Sequence, residues 1–137
     1  MAHGLFYFAN TNLEVIAFCD ADWAKCTLTR RSVTGYCIMM GGALVLWKSK
    51  TQNTFSKFST EAEYRSATIT ISELKWISYI LQDLQHPITK QIALRCFVLP
   101  VFVSIKEQLA DVFTKVLSSP QHVYLLSKIG FSSIAPS

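Results

Sequence analysis

Between positions 85 and 106 the chain has neither aspartate nor glutamate. Charge is sparse throughout, at 16% of residues against roughly 25% in an average soluble domain. Half of the residues are hydrophobic, so the chain should collapse into a real core, and its 137 residues suit one domain rather than two. The four cysteines, Cys19, Cys26, Cys37 and Cys96, form no CxxC pair, which argues against a zinc site. Cys19 and Cys37 fall in strand-like runs, where a free thiol acts as a small buried hydrophobe, and a reduced intracellular setting is expected. The most apolar window, 96–105, is too short to span a bilayer and is broken by Pro100, so no membrane role is expected. The first residues lack a basic stretch followed by an apolar one, so no secretory signal is visible. His3, His86 and His122 have no nucleophile and orienting acid at suggestive spacing, and there is no glycine-rich phosphate loop. Internal repeats and low-complexity blocks are also missing.

What is present reads as strands first and helices later. Residues 4–8 and 13–19 are apolar, β-rich runs around a polar turn and predict a hairpin. Residues 33–40 are strand-like again, and Gly41-Gly42 turns the chain into a strand over 43–48, completing an antiparallel meander. From Thr60 the period changes: Ala67, Ile71, Leu74, Ile77, Leu81 and Leu84 form the apolar stripe of a long helix. Thr60 and Glu63 predict a capping box at its start, and His86-Pro87 its end. Extended runs at 92–99 and 101–105 flank Pro100, and too few residues separate them for a parallel crossover. Ser104 and Glu107 predict a second capping box before a helix over 107–117. Pro120 opens a last helix ending near Gly130, and 132–137 reads as a loose, disordered tail.

Carboxylates stand in three separate motifs: Cys19-Asp20-Ala21-Asp22-Trp23-Ala24, Ser59-Thr60-Glu61-Ala62-Glu63-Tyr64, and Gln108-Leu109-Ala110-Asp111-Val112-Phe113-Thr114-Lys115. The first closes an apolar run, the second opens the long helix, and the third lies in the short helix. Such an arrangement can gather acids at one end of a sheet, as metal-dependent phosphodiester cleavage requires. Each acid also has a bland reading. Asp20 and Asp22 can be a solvated pair at a strand end, Glu63 can cap its helix, and Asp111 can pair with Lys115 at i+4. Glu61 suits the helix dipole. The net charge of +4 is a mild basic bias compatible with a polyanionic partner.

Together with Thr29-Arg30-Arg31-Ser32-Val33-Thr34-Gly35-Tyr36 and Trp47-Lys48-Ser49-Lys50, these motifs closely resemble the ribonuclease H region of Ty1/copia-type retrotransposon polyproteins. The resemblance runs from about Gly4 to Phe131 and implies a single degenerate domain over 1–131 with an α/β fold: a ribonuclease H-like mixed sheet, an antiparallel meander plus one or two further strands, packed with helices and here truncated. It implies that Asp20, Glu63 and Asp111 are catalytic ligands of Mg²⁺. It also implies that Arg30, Arg31, Lys48, Lys50 and Lys57 hold the backbone of an RNA–DNA hybrid or another nucleic acid. The reverse transcriptase part of the same polyprotein is an implied partner. Two departures stand out. Lys25 occupies a position where the family often has glycine. The family's Cys-Asp-Asn motif, with a fourth acid, is absent: Ala93-Leu94-Arg95-Cys96 is followed by Phe97-Val98-Leu99. A block of the pattern is missing after Cys96, which implies an inactive copy. A non-catalytic nucleic-acid-binding module and a nonfunctional translated fragment are the alternatives.

Overall fold

The protein is described by a computed structural model covering residues 2–7, 9, 14–86, 92–96 and 105–134. Strand β1 is Ala2–Leu5, and β2 (Val15–Asp22), β3 (Val33–Met40) and β4 (Ala43–Thr51) follow. Helix α1 (Ser59–Asp83) leads to β5 (Ala93–Cys96). Two short 3₁₀ helices come next, Ile105–Glu107 and Leu109–Phe113, then α2 (Ser119–Lys128) and β6 (Phe131–Ile134). The main sheet has the order β4-β3-β2-β5, with β2 antiparallel to β3 and parallel to β5. The class is therefore α/β with a mixed sheet, as expected. Gly41 and Gly42 make the β3–β4 turn with φ of 59° and 80°, which side chains disfavour.

Helix α1 covers one face of this sheet. Val15, Ala17, Ile38 and Leu74 form a core cluster there, continued by Cys19, Tyr36 and Ala67. The opposite face is covered by the second 3₁₀ helix and α2, where Cys37, Met39, Leu44, Leu109, Leu125 and Ile129 pack together. Alternate residues of β2 and β3 thus serve two cores, as a two-residue period requires.

Several expectations are corrected. Strands β1 and β2 are not a hairpin, because both edges of β2 are occupied by β3 and β5; β1 instead pairs antiparallel with β6. The expected tail therefore begins as a strand over Phe131–Ile134, entered through Gly130 at φ 83°. The Thr60–Glu63 capping box is absent: Phe58 is the N-cap and makes no side-chain capping bond. Glu61 takes the first-turn role and accepts the Lys57 backbone N–H at 2.9 Å.

The apolar stripe of α1 is only partly used. Ala67 and Leu74 are buried, whereas Ile71 is 49% and Leu84 62% exposed. A 25-residue helix is about 37 Å long, and the eight-residue strands beneath it reach only about 26 Å, so about its last two turns outrun the sheet. Its buried face is made instead by Ala62, Glu63, Ser66, Ala67, Thr70 and Leu74. Small side chains there let the helix approach the strands.

The expected helix over 107–117 is two 3₁₀ pieces. Leu109, Ala110 and Asp111 are all buried, and three consecutive buried residues suit an element wedged against a sheet better than an amphipathic helix. Cys37 is a buried free thiol as expected, and burial pushes it up to about 12. Cys19 is disulfide-bonded instead, and its backbone stands opposite Cys96 in the β2–β5 register. A sequence separation of 77 positions hid that neighbourhood, so the fully reduced expectation fails at Cys19. The second capping box at Ser104, the extended run 97–104 and the break after Cys96 lie outside the described residues. No described helix is long and apolar enough to cross a membrane.

Candidate functional site

The C-terminal end of β2 carries Asp20 into the space between the start of α1 and the second 3₁₀ helix. Asp20 is 4% exposed, Glu63 9% and Asp111 2%. Acids from three distant motifs thus meet at one buried point, and the negative charge of Asp20 acts on both Glu63 and Asp111. Burial first, then repulsion from Asp20, raises Glu63 to about 8. Burial raises Asp111 to about 6 although Lys115 pulls the other way.

The scaffold around these acids is specific. Glu63 Oε1 accepts the Ala21 backbone N–H at 3.3 Å, which turns the side chain toward β2 and away from its own helix end. Its Oε2 is buried without a hydrogen-bond partner. Ser66 donates to the Asp20 carbonyl at 2.8 Å and pins α1 to the same strand end. Gln108 donates to the Cys19 carbonyl at 3.2 Å while its amide oxygen accepts the Ala110 N–H at 3.3 Å. The Thr114 hydroxyl donates to Asp20 Oδ2 at 2.7 Å.

Gly35 makes this approach possible. It stands opposite Asp20 in the β2–β3 register. A Cβ there would lie 2.5 Å from Thr114 Cγ2, 3.0 Å from Phe113 Cβ and 3.1 Å from the Ala110 carbonyl. Only a residue without a side chain lets the 3₁₀ helix cross β3 at that height.

Two lysines supply the local positive charge. Lys115 Nζ lies 2.8 Å from Asp111 Oδ1 and 3.1 Å from Asp20 Oδ2. Burial opposes its charge, yet the carboxylates of Asp111 and Asp20 outweigh that and raise its pKa. Lys25 donates to the Thr114 carbonyl and lies 3.6 Å from Asp22 Oδ2. Asp22 is half-exposed and joins the Lys25 pair.

Among the described residues, no group of three His, Cys, Asp or Glu side chains is set to hold a metal ion in common. Magnesium asks for near-octahedral oxygen ligands, and here an ammonium already bridges Asp20 and Asp111. As they stand, these residues do not fit a magnesium pair.

Cationic residues surround the same end of the sheet. Arg30 and Arg31 are exposed on the loop after β2, and Lys48 and Lys50 are exposed on β4, pairing in register with Tyr36 and Thr34. Lys57 is exposed just before α1. Lys48 and Lys50 line a cavity of about 350 Å³ with Gln52, Ile69 and Glu73. Lys57 lines a cleft of about 670 Å³ with Trp23, Phe58 and Tyr64. Trp23 is fixed there by donating its ring N–H to the Ser56 carbonyl at 3.0 Å.

Sequence reasoning found the three acids and the Asp111–Lys115 pair but missed the reach of Lys115 to Asp20. It also missed Gln108 and Thr114, although both sit in the third motif. Ser66 and Gln52 gave no signal. Gln52 donates to the Thr34 hydroxyl and the Ala62 carbonyl, both at 3.0 Å, and so bridges β3 to α1 beneath the site.

No family model matches the chain, and no solved structure matches it. Curated relatives do. The retrovirus-related Pol polyprotein from transposon RE1 of Arabidopsis thaliana is 32% identical over 98% of this chain, and that from transposon RE2 is 34% identical over 98%. An uncharacterized mitochondrial protein of the same plant is 51% identical over 56% of the chain and 32% of its own length. This chain spans 12% of either Pol polyprotein. Those two alignments run over 170 positions against the 137 residues of this chain, so at least 33 positions have no counterpart here. Over nearly its whole length, the chain is a relative of one segment of the retrovirus-related Pol polyproteins of copia-type transposons.

Proposed function

We propose that this chain derives from the ribonuclease H segment of such a polyprotein and keeps the binding surface without the cleavage. The observation that carries the reading is the convergence of Asp20, Glu63 and Asp111 at one buried strand end. Their motifs are far apart in sequence, and a chance solvated acid has no reason to be buried beside two others, since each buried charge carries a desolvation penalty. The sheet order supports the same reading, because the first and last strands of the main sheet run parallel through a helical crossover.

An intact relative would cleave the RNA strand of a hybrid by magnesium-assisted attack of water on phosphorus, the metals clamping the attacking and leaving oxygens. In this chain a fourth acid is missing from the sequence pattern, and Lys115 is bonded to two of the remaining three. What its own residues can do is bind. Arg30, Arg31, Lys48, Lys50 and Lys57 offer charge to phosphates, and Trp23, Phe58 and Tyr64 offer exposed aromatic surface for stacking. The reverse transcriptase part of a parent polyprotein is the natural protein partner.

Purified protein should bind a labelled RNA–DNA hybrid weakly, with log affinity falling linearly in log salt. Charge reversal at Arg30 and Arg31 should flatten that slope, and an unchanged slope removes both from the interface. Magnesium should produce no cleavage above background; robust cleavage abolished by Asp20→Asn would overturn the reading. Absence of cooperative unfolding would favour the alternative of a nonfunctional translated fragment.

A further inference from the structure

We infer that Lys115 is the resident cation of the acidic centre, its ammonium taking the place between Asp20 and Asp111 that a divalent ion would need. Lys25 holds the Thr114 carbonyl beside it. The inference rests on the proposed origin of the site, but it concerns the carboxylates themselves and is tested without nucleic acid.

The geometry is direct. Lys115 Nζ touches Asp111 Oδ1 at 2.8 Å and Asp20 Oδ2 at 3.1 Å, and both carboxylates are almost fully buried. Thr114 Oγ1 donates to the same Asp20 oxygen at 2.7 Å. Asp20 Oδ2 therefore already receives two donors, and a metal would have to displace at least one. The Lys115 side chain is 40% exposed, so its stem reaches in from solvent and its head is held by charge. Lys25 donates to the Thr114 carbonyl, one residue before Lys115. That contact ties the loop after β2 to the end of the 3₁₀ helix and fixes the distance between them. Lys115 directly follows the 3₁₀ helix that Gly35 lets approach β3, and its backbone N–H is held by the Asp111 carbonyl at 2.9 Å, so the fold sets where its side chain starts.

Two paired acids and one ammonium leave a single net negative charge. Removing the ammonium doubles it, releases Asp111 Oδ1 and leaves Asp20 Oδ2 with one donor fewer, Thr114 still holding it. A divalent ion gains from both changes.

Lys115→Met keeps the stem and removes the charge. Magnesium and manganese are titrated by calorimetry into wild type and into this variant, and thermal midpoints are recorded with and without each ion. Wild type should show no saturable binding at millimolar metal and no midpoint shift. The variant should gain at least about tenfold in affinity and be stabilised by the ion. Lys115→Arg, which keeps a positive charge, should stay metal-free. Saturable binding by wild type, or a folded Lys115→Met that gains nothing, overturns the inference. Should Lys115→Met fold only with metal, that rescue is itself the expected gain; should it not fold at all, the wild-type midpoint decides, a rise with magnesium counting against the inference and constancy counting for it. Hybrid binding assayed separately on wild type tests the ribonuclease H origin, so either claim can fail alone.

Discussion

Gly35→Ala should destabilise the protein by about 3 kcal/mol, more than overpacking of a pliable core site would. The added methyl meets Thr114 Cγ2, Phe113 Cβ and a backbone carbonyl at once, the nearest at 2.5 Å. The clash cannot be relieved by one side-chain rotation, because Phe113 and the carbonyl belong to the backbone-bonded 3₁₀ helix. The helix must lift, and Thr114 and Asp111 lift with it from Asp20. Gly42→Ala is the control: it carries φ 80° and has open space around a Cβ. It should cost only about 1 kcal/mol, the strain of a left-handed residue. Urea denaturation of both variants measures the difference, and equal midpoints would show that the 3₁₀ helix is free to shift.

The second large effect is on pH. Glu63 is raised in the folded state from 4.5 to about 8, and Asp111 from 3.8 to about 6. A carboxyl raised in this way binds protons in the folded chain that the unfolded chain has released. Its contribution is fully present below the unfolded value and is lost as pH climbs through the folded one. Stability should therefore fall between about pH 3.8 and pH 8 and flatten above, with Asp111 contributing up to about pH 6 and Glu63 dominating the upper half. Glu63→Gln removes the charge but keeps an oxygen for the Ala21 N–H. It should stabilise the protein at pH 8 by about 1–3 kcal/mol after allowance for solvent screening and change little at pH 5. Denaturant midpoints across that range test the claim. An equal gain at both pH values would mean that packing, not charge, explains it.

Much of this fold was legible before any coordinates. The meander over β2, β3 and β4 follows from alternating apolar residues and Gly41-Gly42, and α1 and α2 follow from period and from Pro120. The three acids were named by motif alone, and they meet. Local pattern worked for the strands and helices because turn chemistry and periodicity act within a few residues, whereas the acids were reached through motif resemblance.

It failed where an element's partner was distant. Nothing near β1 says that its edge will be met by β6, and nothing in Phe131–Ile134 marks it as a strand rather than a tail. The stripe on α1 pointed to Ile71 and Leu84, but Ile71 lies off the face that Ser66, Thr70 and Leu74 bury, and Leu84 is the C-cap, past the reach of the sheet.

The sequence by itself determined the class of fold and the order of its main elements, since those rest on short-range periodicity and residue type; it pointed to the acids at its centre only through the resemblance of their motifs. Only the tertiary structure decided what those acids do. Whether Glu63 caps its helix or faces Asp20 depends on where the Ala21 amide lies, and whether Lys115 pairs with one carboxylate or two depends on how closely Gly35 lets the 3₁₀ helix approach. Both are distances between parts of the chain that are remote in sequence, and a buried charge is settled by what surrounds it in space.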